Sequence, residues 1–445
     1  MNIIQITPGA GKMYCGNCFR DNALVATLRA MGHSALMVPL YLPLTLDEED
    51  QSAGTPIFFG GVSVYLEQKS ALFRRAPRWL HRLLATPALL RWAAGRAAKT
   101  RAADVGELML STLQGEQGKQ ATELQALVDW LKKQPHPDVV CLSNALLIGM
   151  ARTLKRELFS PVTCMLQGED TFLDALPSDY SERCWQLLRQ RASEVDLLIA
   201  PSRYFANLMS HRLGLNQDLV RVVPNGINLA PFGVKASTHH QVEPQKGLRA
   251  PPTLGYLARM CREKGLDSLV AAYIILRRRN RIKDLKLRVG GGCGPSDKQF
   301  VNSLRDQLQN AGLLGDVEFC PNLDLNGKIA FLKSLSVFSV PATYGEAFGL
   351  YVIEALAAGV PVVQPRTAAF PELIEATGGG MLCEPANPES LADAVEQMLL
   401  EPGRALSLGE TGRRAVFEKF SAEVMCRNML TVFEEVIQKY HTRKP

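Results

Sequence analysis

Two glutamates close together are the most chemically informative pair in the sequence. They lie in PATYGEAFGLYVIEALAAGVP, residues 341–361, behind the apolar run VFSV, which predicts a buried strand. The pattern predicts a helix over 350–358, with Glu346 just before it and Glu354 on it. Free N–H groups at the helix start, beside Gly349, form an anion site that the helix dipole strengthens. Both carboxylates can therefore border one ligand.

Two carboxylates beside an anion site are suited to a sugar nucleotide. Carboxylates accept hydrogen bonds from vicinal hydroxyls, and the helix start takes phosphate. Glu354 lies in the otherwise apolar run YVIEALAAGV, where an unpaired charge would be costly. This location favours a functional role over an ordinary solvated helix position.

Two cations stand near the start of the same half of the chain, in GYLARMCREKGLDSLVAA, residues 255–272. The pattern predicts that Arg259 ends a strand and that Lys264 begins the next helix. Cations at the carboxyl end of a strand can neutralise a diphosphate leaving group. Such pairs are common on protein surfaces, so their value comes from lying in the same predicted domain as the glutamates.

Two α/β domains must position these residues. The chain has 445 residues, 47% hydrophobic and 21% charged, which is typical of a globular protein with more than one core. Apolar runs alternate with amphipathic stretches such as 22–31 and 181–192, which predicts parallel sheets covered by helices. The predicted strands are Asn2–Ile6, Ala35–Val38, Val139–Leu142, Val162–Met165, Leu197–Ala200, Val220–Val223, Thr253–Leu257, Lys286–Gly290, Val317–Phe319, Val337–Val340 and Val360–Val363.

The polar, Pro- and Gly-rich stretch 228–253 interrupts this alternation and predicts a domain boundary. We therefore predict an α/β fold with two doubly wound, Rossmann-like domains, 1–228 and 229–420, facing a central cleft. Sheets of this kind bind ligands beyond the carboxyl ends of their strands.

The composition excludes several classes of protein. We expect no secretory signal, and no run reaches the roughly 18 apolar residues of a membrane span. Most of the ten cysteines lie singly in apolar segments, which favours free thiols in a reducing cytoplasm. His239 and His240 lie in the linker without partners at metal spacing, so no metal site is expected. We expect a cytoplasmic protein without a nucleic-acid partner.

The net charge of +6 is concentrated in residues 69–101, which hold nine Lys or Arg and no acid. The rest of the chain therefore carries a net charge of about −3. Tryptophans and leucines share a helical period with the arginines, which is compatible with peripheral membrane contact or an anionic acceptor. The alternative is a helix that packs its apolar side inward and leaves the arginines in water.

Two weaker patterns also follow predicted strands. The turn in RVGGGCGPSD, residues 288–297, lacks the spacing of a dinucleotide fingerprint, and we predict that it touches phosphate at most. Ser143 and Asn144 follow the strand VVCL, where a helix N-cap is the favoured role.

The set of motifs resembles glycosyltransferase family 4. Glu346 and Glu354, with seven residues between them, match its E-x7-E signature, and EAFGL…EALAAGVPVV resembles its donor site. VVPNGIN (222–228) resembles the end of the family's N-terminal domain, and FPELIEATGGGML (370–382) the segment after the donor helix. The resemblance covers most of residues 197–400.

This resemblance implies a GT-B architecture. The second domain, 229–420, would bind a nucleotide-diphosphate sugar, and the first, 1–228, would bind a hydroxyl acceptor. A last helix, within 421–445, would cross back onto the first domain. The donor base, the sugar and the acceptor stay open.

The resemblance also implies roles for single residues. Glu346 would contact the donor sugar and Glu354 the ribose hydroxyls. Arg259 and Lys264 would bind the diphosphate, so that neither a metal nor another cofactor is expected. The further donor-binding residues are Gly16, Ala347, Phe348, Gly349 and Leu350.

The family retains the configuration of the transferred sugar, by a usual account in which the acceptor attacks on the face that the diphosphate leaves. Double displacement through an enzyme carboxylate is the alternative. Glu169 and Asp170 are the candidates, since Gln167-Gly168-Glu169-Asp170 stands where many members have a histidine. Gln167, Glu169 and Asp170 would then contact the acceptor. Helix capping or pairing with arginines is an equally weighted alternative for the two acids.

The stretch TPGAGKMYCGNCFRDN, residues 7–22, contains no Walker loop, because Met13 stands where Ser or Thr is required. It resembles the family's glycine loop and first helix, with Cys15 in place of a usual glycine. Gly16 and Asn17 would cap this helix and point its positive end toward donor phosphate and acceptor. Cys15 and Cys18 would give the site some redox sensitivity.

The leading hypothesis is a retaining hexosyltransferase that uses a nucleotide-diphosphate sugar without a metal. A sugar-nucleotide epimerase and a glycoside phosphorylase are alternatives with the same fold. A non-catalytic sugar-nucleotide sensor is an alternative from another class, although it has less need for cations at a leaving group.

Overall fold

The computed structural model describes residues 1–9, 16–44, 46, 48–59, 102–233 and 251–442. The chain divides into two compact units. The N-terminal unit comprises Met1–Pro224 with Met425–Pro445, and the C-terminal unit comprises Asn225–Val424. Sequence analysis placed these boundaries at 228 and 421. The basic segment 69–101, Cys15 and the two linker histidines lie outside the described residues.

The N-terminal unit is built on a six-stranded parallel sheet of order β2-β1-β3-β4-β5-β6. Its central strands are short apolar runs buried along their whole length, because helices cover both faces. The strands are β1 Asn2–Thr7, β2 Ser34–Pro39, β3 Val139–Leu142, β4 Val162–Met165, β5 Leu197–Ala200 and β6 Val220–Val222. The helices are α1 Gly16–Ala30, α2 Ala102–Gln114, α3 Ala121–Leu131, α4 Ala151–Leu158, α5 Glu169–Asp174, α6 Ser178–Ala192 and α7 Arg203–Leu213.

The C-terminal unit has a second six-stranded parallel sheet, of order β12-β11-β10-β7-β8-β9. Its strands are β7 Thr253–Leu257, β8 Lys286–Gly291, β9 Val317–Pro321, β10 Val337–Phe338, β11 Val362–Pro365 and β12 Gly380–Cys383. Its helices are α8 Leu266–Arg279, α9 Lys298–Asn310, α10 Leu325–Lys333, α11 Leu350–Ala357, α12 Phe370–Thr377, α13 Pro388–Leu400 and α14 Pro402–Lys419.

The last helix, α15 Ala422–Thr442, packs on the sheet of the N-terminal unit. Met429 and Phe433, both fully buried, join one apolar cluster with Leu24 and Leu28 of α1 and with the sheet. The C-terminal helix therefore completes the hydrophobic core of the N-terminal unit. No helix in the described part of the chain combines the length and the apolar character that crossing a membrane requires.

The predicted α/β class with two parallel sheets is confirmed, and each predicted strand is present. Three details were wrong. The predicted strand over 360–363 begins only at Val362, because the Val360 N–H bonds to Ala355 at the end of α11. The strand over 337–340 is shorter, and β12 was missed because its glycine-rich sequence hides a strand.

The sheet of the C-terminal unit brings three loops to one edge. Strands β10, β7 and β8 are neighbours and run parallel, so the loops that follow them leave from the same side. Arg259 follows β7, Asp297 lies in the segment after β8, and Glu346 lies in the segment after β10. This edge is where the predicted donor-site residues gather.

Candidate active site

The segment after β7 is joined to the segment after β10. The Thr343 N–H donates to the carbonyl of Glu263 at 3.0 Å. Gly265 has φ +71°, and a Cβ there would collide with the carbonyl of Pro341, so only glycine permits this approach. This contact places Lys264, the last residue of the short 3-10 helix Arg262–Lys264, next to the segment after β10.

Lys264 meets Glu346 there in a half-buried ion pair. Its Nζ lies 2.5 Å from Oε2 of Glu346 and also bonds to the hydroxyl of Tyr344. The same Oε2 accepts the Tyr344 hydroxyl at 3.0 Å and the Tyr351 hydroxyl at 2.8 Å. The Lys264 ammonium also lies 4.8 Å and 5.2 Å from the centres of these two rings. Three donors thus converge on one carboxylate oxygen.

These contacts keep Glu346 ionised. Burial alone would raise the pKa of Glu346, but the charge and hydrogen bond of Lys264 and the two tyrosine hydroxyls outweigh burial and hold this pKa below its ordinary value. Burial and the nearby charge of Glu346 raise the pKa values of Tyr344 and Tyr351. Both tyrosines therefore remain hydrogen-bond donors at neutral pH.

Glu354 has a lysine partner of its own. Lys328 on α10 is 7% exposed, and its Nζ lies 2.9 Å from Oε1 of Glu354 on α11. Asp324 begins α10 by accepting the Gly327 N–H at 2.7 Å, which fixes the helix that carries this lysine. The costly charge in the apolar run YVIEALAAGV is thus compensated. No motif in the sequence had pointed to Lys328.

Arg259 is held by an acid from the glycine-rich turn after β8. Its Nη2 lies 2.8 Å from Oδ1 of Asp297 and its Nε lies 3.2 Å from Oδ2. Burial would raise the pKa of Asp297, but the Arg259 guanidinium and the Gly294 N–H lower it below its ordinary value. The Arg259 side chain is 60% exposed, so its outer side stays open to an anion. Asp297 was also missed by sequence analysis.

Helix α11 begins where sequence analysis placed the anion site. Gly349 has φ +95° and precedes Leu350, the first helical residue. The side chains of Ala347 and Phe348 are buried, and Phe348 packs on Phe420 with ring centres 6.0 Å apart. These side chains therefore fix the segment in the core, and only its backbone is suited to a ligand.

The predicted donor residues thus form three charge pairs within the C-terminal unit. Glu346 meets Lys264, whereas Glu354 meets Lys328 and Arg259 meets Asp297. Two local predictions were wrong. β7 ends at Leu257, so Arg259 lies two residues beyond it, and Lys264 ends a 3-10 turn rather than beginning α8.

Glu169, in the N-terminal unit, binds backbone N–H groups, including its own at the start of α5, and has no arginine partner among the described residues. Gly168 is the N-cap of α5, and Glu169 is its first helical residue, 2% exposed. Its carboxylate accepts the N–H of Ala145 at 2.9 Å and the N–H of Gln167 at 2.8 Å. Burial raises the pKa of Glu169 to about 7, opposed by these backbone hydrogen bonds. To act as a nucleophile, the Glu169 carboxylate would have to break these hydrogen bonds.

Asp170 is more open to a chemical role than Glu169. It is 7% exposed, and its Oδ1 is buried without a hydrogen-bond partner among the described residues. Burial raises its pKa, and the charge of Arg212 opposes this rise. Arg212 itself pairs with Asp174 at 2.7 Å. Asp170 also accepts backbone N–H groups of its own first helical turn, at Thr171 and Asp170, so the capping alternative describes it in part.

The remaining predicted residues of the N-terminal unit lie at element starts. Gly16 and Asn17 are the first two residues of α1, and because Cys15 before them lies outside the described residues, their capping role stays a prediction. Asn144 caps the 3-10 helix Ala145–Met150 by accepting the Leu146 N–H at 3.1 Å, as predicted. Within the described ranges, no group of three or more His, Cys, Asp or Glu side chains could hold a metal ion.

A buried polar cluster at the start of α1 was missed by sequence analysis. Arg20 and Asp21 are both buried, and their side chains bond to each other at 2.6 Å. Arg20 also donates to the carbonyl of Ser143 at 2.8 Å, which ties α1 to the end of β3. Adjacent opposite charges in a polar stretch gave no sign of burial.

Replacing Lys328 tests how much its pair with Glu354 stabilises the fold. Lys328→Met leaves a carboxylate that is only 14% exposed without its cation, so we expect the free energy of unfolding to fall by about 3 kcal/mol in urea titrations. Lys328→Met/Glu354→Met should recover most of this loss, because no charge is then left unpaired. The exposed Lys333→Met on the same helix is the control. Equal stability of Lys328→Met and this control would contradict the assignment.

Glu169→Gln tests the buried carboxyl in the N-terminal unit. Because its pKa is raised from 4.5 to about 7, the folded protein keeps a proton that the unfolded chain has lost. Its stabilising contribution is present at low pH and is lost as the pH rises through about 7. Relative to Glu169→Gln, the wild-type free energy of unfolding should fall by about 2–3 kcal/mol between about pH 5 and pH 8.

The control for this pH dependence is Glu182→Gln, at an exposed position on α6. It should parallel the wild type at every pH. A wild-type curve that stays parallel to the Glu169→Gln curve would contradict the raised pKa.

Two family sequence models match adjacent parts of the chain. The model described as Glycosyltransferase Family 4 matches residues 108–231, and the model described as Glycosyl transferases group 1 matches residues 241–415. Together they cover the end of the N-terminal unit and nearly all of the C-terminal unit.

Curated relatives are similar at a lower level. A GDP-mannose-dependent α-(1-6)-phosphatidylinositol monomannoside mannosyltransferase of Mycobacterium tuberculosis is 27% identical over 236 residues, 52% of this chain and 59% of that protein. A D-inositol 3-phosphate glycosyltransferase of Corynebacterium jeikeium is 26% identical over 56% of this chain and 59% of that protein. The chain thus spans less than two thirds of the length of these relatives.

Solved structures share the fold along nearly the whole chain. Sucrose-phosphate synthase from Thermosynechococcus elongatus has a TM-score of 0.69 at 20% identity and covers 98% of this chain and 99% of its own. HepE from Anabaena has a TM-score of 0.65 at 16% identity and covers 98% of this chain and 100% of its own. The matches of both family models show that the chain belongs to glycosyltransferase family 4, and the solved structures show that it has the GT-B fold.

Proposed function

We propose that the protein is a retaining glycosyltransferase that moves a hexose from a nucleoside-diphosphate hexose to a hydroxyl acceptor. The observation that carries this proposal is the pairing of both glutamates with lysines at one edge of the C-terminal sheet. Lys264 and Glu346 both precede α11 in the chain, whereas Lys328 on α10 pairs with Glu354 on α11. Lys264 helps hold the pKa of Glu346 below its ordinary value, and Lys328 donates a hydrogen bond to Glu354 at 2.9 Å. A carboxylate held beside a cation in this way accepts hydroxyl hydrogen bonds strongly.

The donor follows from the geometry around α11. We assign the hexose to Glu346, the ribose to Glu354 and the diphosphate to the backbone beside Gly349 with Arg259 and Lys264. The outer side of Arg259 is exposed, and the start of α11 adds backbone N–H groups, so the charge of a diphosphate can be balanced by this chain's own groups. The proposed reaction therefore needs no metal cofactor.

We propose that transfer occurs in one front-face step. The bond between the anomeric carbon and the leaving phosphate oxygen breaks as the acceptor oxygen bonds to the same carbon on the same face. The hydroxyl proton passes to the leaving phosphate oxygen, and Arg259 and Lys264 stabilise the charge that develops on the diphosphate. The backbone contacts of Glu169 support this route over double displacement through Glu169.

The acceptor and the place of action are proposed from the relatives. The M. tuberculosis relative is named for a phosphatidylinositol monomannoside acceptor and the C. jeikeium relative for inositol 3-phosphate. Both names describe an inositol-containing phosphate, so we propose an anionic polyol, free or lipid-linked, as the acceptor class. The proposed acceptor contacts in the N-terminal unit are Asn17, Gln167 and Asp170. We also propose that the protein acts in the cytoplasm or at the cytoplasmic surface of the membrane.

Glu346→Gln tests the donor assignment. The substitution keeps the shape but removes the charge that pairs with Lys264, so we expect donor turnover to fall by about a hundredfold or more. The measurement is release of nucleoside diphosphate from GDP-mannose, UDP-glucose or ADP-glucose, with thermal unfolding as the check on folding. Glu418→Gln, at an exposed position on α14, should retain wild-type turnover. Near-normal turnover in Glu346→Gln would refute the assignment.

The same assay separates the proposal from related reactions. Turnover that changes the hexose without releasing nucleotide indicates an epimerase, and turnover that requires inorganic phosphate indicates a phosphorylase. Tight nucleotide-sugar binding without any turnover, with inositol phosphate and phosphatidylinositol vesicles both supplied, indicates a sensor. Each of these results contradicts transfer to a hydroxyl acceptor.

We propose peripheral membrane contact through residues 69–101, and the support for it is their sequence of nine cations, no acid and interleaved tryptophans. Replacement of three arginines by serine should release the protein from vesicles of phosphatidylglycerol and phosphatidylcholine in sedimentation assays. The arginines are Arg78, Arg82 and Arg91. The control replaces three exposed arginines elsewhere by serine, so that it has the same net charge as the test variant. These are Arg366, Arg404 and Arg427. Equal sedimentation of both variants would contradict a membrane role for the segment.

A further inference from the structure

We propose that Tyr351 is a positioning residue that fixes the rotation of the Glu346 carboxylate and so presents Oε1 to the hydroxyls of the donor hexose. This inference rests on the proposed function, because it assumes that Glu346 contacts the hexose. It adds a residue that neither the motif nor the family resemblance assigns.

The first step of the inference concerns which oxygen of Glu346 is occupied. Lys264, Tyr344 and Tyr351 all bond to Oε2, at distances of 2.5 Å, 3.0 Å and 2.8 Å. Among the described residues, Oε1 has no hydrogen-bond contact, although the side chain as a whole is only 14% exposed. A carboxylate that accepts three hydrogen bonds at one oxygen and none at the other is held in one orientation. Oε1 is the oxygen left for a ligand.

The second step is that the Tyr351 side chain is held rigidly enough to fix the orientation of the Glu346 carboxylate. It lies in the first turn of α11 and is 8% exposed. Its ring packs on Phe338 of β10 and Phe370 of α12, with ring centres 6.3 Å and 6.4 Å away. A Cβ at Gly349 would come within 3.2 Å of the Phe370 ring, so the glycine leaves room for this packing. Tyr351 is therefore a fixed donor, whereas Lys264 is a flexible side chain.

The third step concerns charge around the carboxylate. Lys264 faces it from the 3-10 turn, Tyr344 from the β10 segment and Tyr351 from α11. Tyr256 of β7 and Cys261 lie close enough to act on Tyr344. Because each hydroxyl helps hold the pKa of Glu346 down, removal of one hydroxyl raises it. A purely structural role for Tyr351 would leave that pKa unchanged.

The experiment is calorimetric binding of GDP-mannose and UDP-glucose, each compared with GDP and UDP, to wild-type protein and to Tyr351→Phe. We expect Tyr351→Phe to lose about tenfold in affinity for the nucleotide hexose that binds, because one charge-assisted hydrogen bond to Glu346 is gone. Affinity for the free nucleoside diphosphate should stay within about twofold. The pH below which hexose binding is lost should rise by about one unit.

The matched control is Tyr273→Phe in the same unit. Tyr273 is also buried, and its hydroxyl donates to the carbonyl of Leu285 at 3.0 Å, away from the glutamates. It should keep wild-type affinity and pH dependence. Tyr351→Phe with wild-type affinity and pH limit, or an equal loss in Tyr273→Phe, would overturn the positioning role while leaving the proposed function intact. Failure of the wild type to bind any of these four nucleotides, together with no turnover of ADP-glucose in the donor assay, would refute the proposed function itself.

Discussion

The ion pair between Lys264 and Glu346 is the interaction on which the C-terminal site depends. Its partners are 82 residues apart in the chain and meet because β7 and β10 are neighbours in the sheet. Gly265 permits the close approach to Pro341 that brings the two segments together. Without this approach, a buried glutamate would face its desolvation cost alone and would take up a proton.

The surroundings of Glu346 and Glu169 shift the pKa values of these two carboxylates in opposite directions. Glu346 is paired with a cation and two phenolic donors, which lower its pKa and prepare it to accept hydroxyl hydrogen bonds. Glu169 is more deeply buried and has only backbone N–H donors, and its pKa rises to about 7. The difference is the presence of a full positive charge. It explains why the first suits a ligand site and the second holds together the Ala145 and Gln167 segments.

Much of the fold could be predicted because its signals are local. Apolar runs bounded by turns identified every strand of the two sheets except β12, several with the observed ends, such as Val139–Leu142 and Thr253–Leu257. The partners of the site residues could not be predicted in this way. Lys328 and Asp297 occupy positions that resemble ordinary surface charges, and Tyr351 lies in an apolar run. Their roles depend on which strands become neighbours, and a single sequence does not carry that information.

A crystal structure with bound GDP-mannose or UDP-glucose tests the central claim most directly. The account predicts hexose hydroxyls at Oε1 of Glu346, ribose hydroxyls at Glu354 and the diphosphate between Arg259, Lys264 and the start of α11. It also predicts that Tyr351 still donates to Oε2 of Glu346. A nucleotide bound away from α11, or a hexose that leaves Glu346 without a contact, would contradict it.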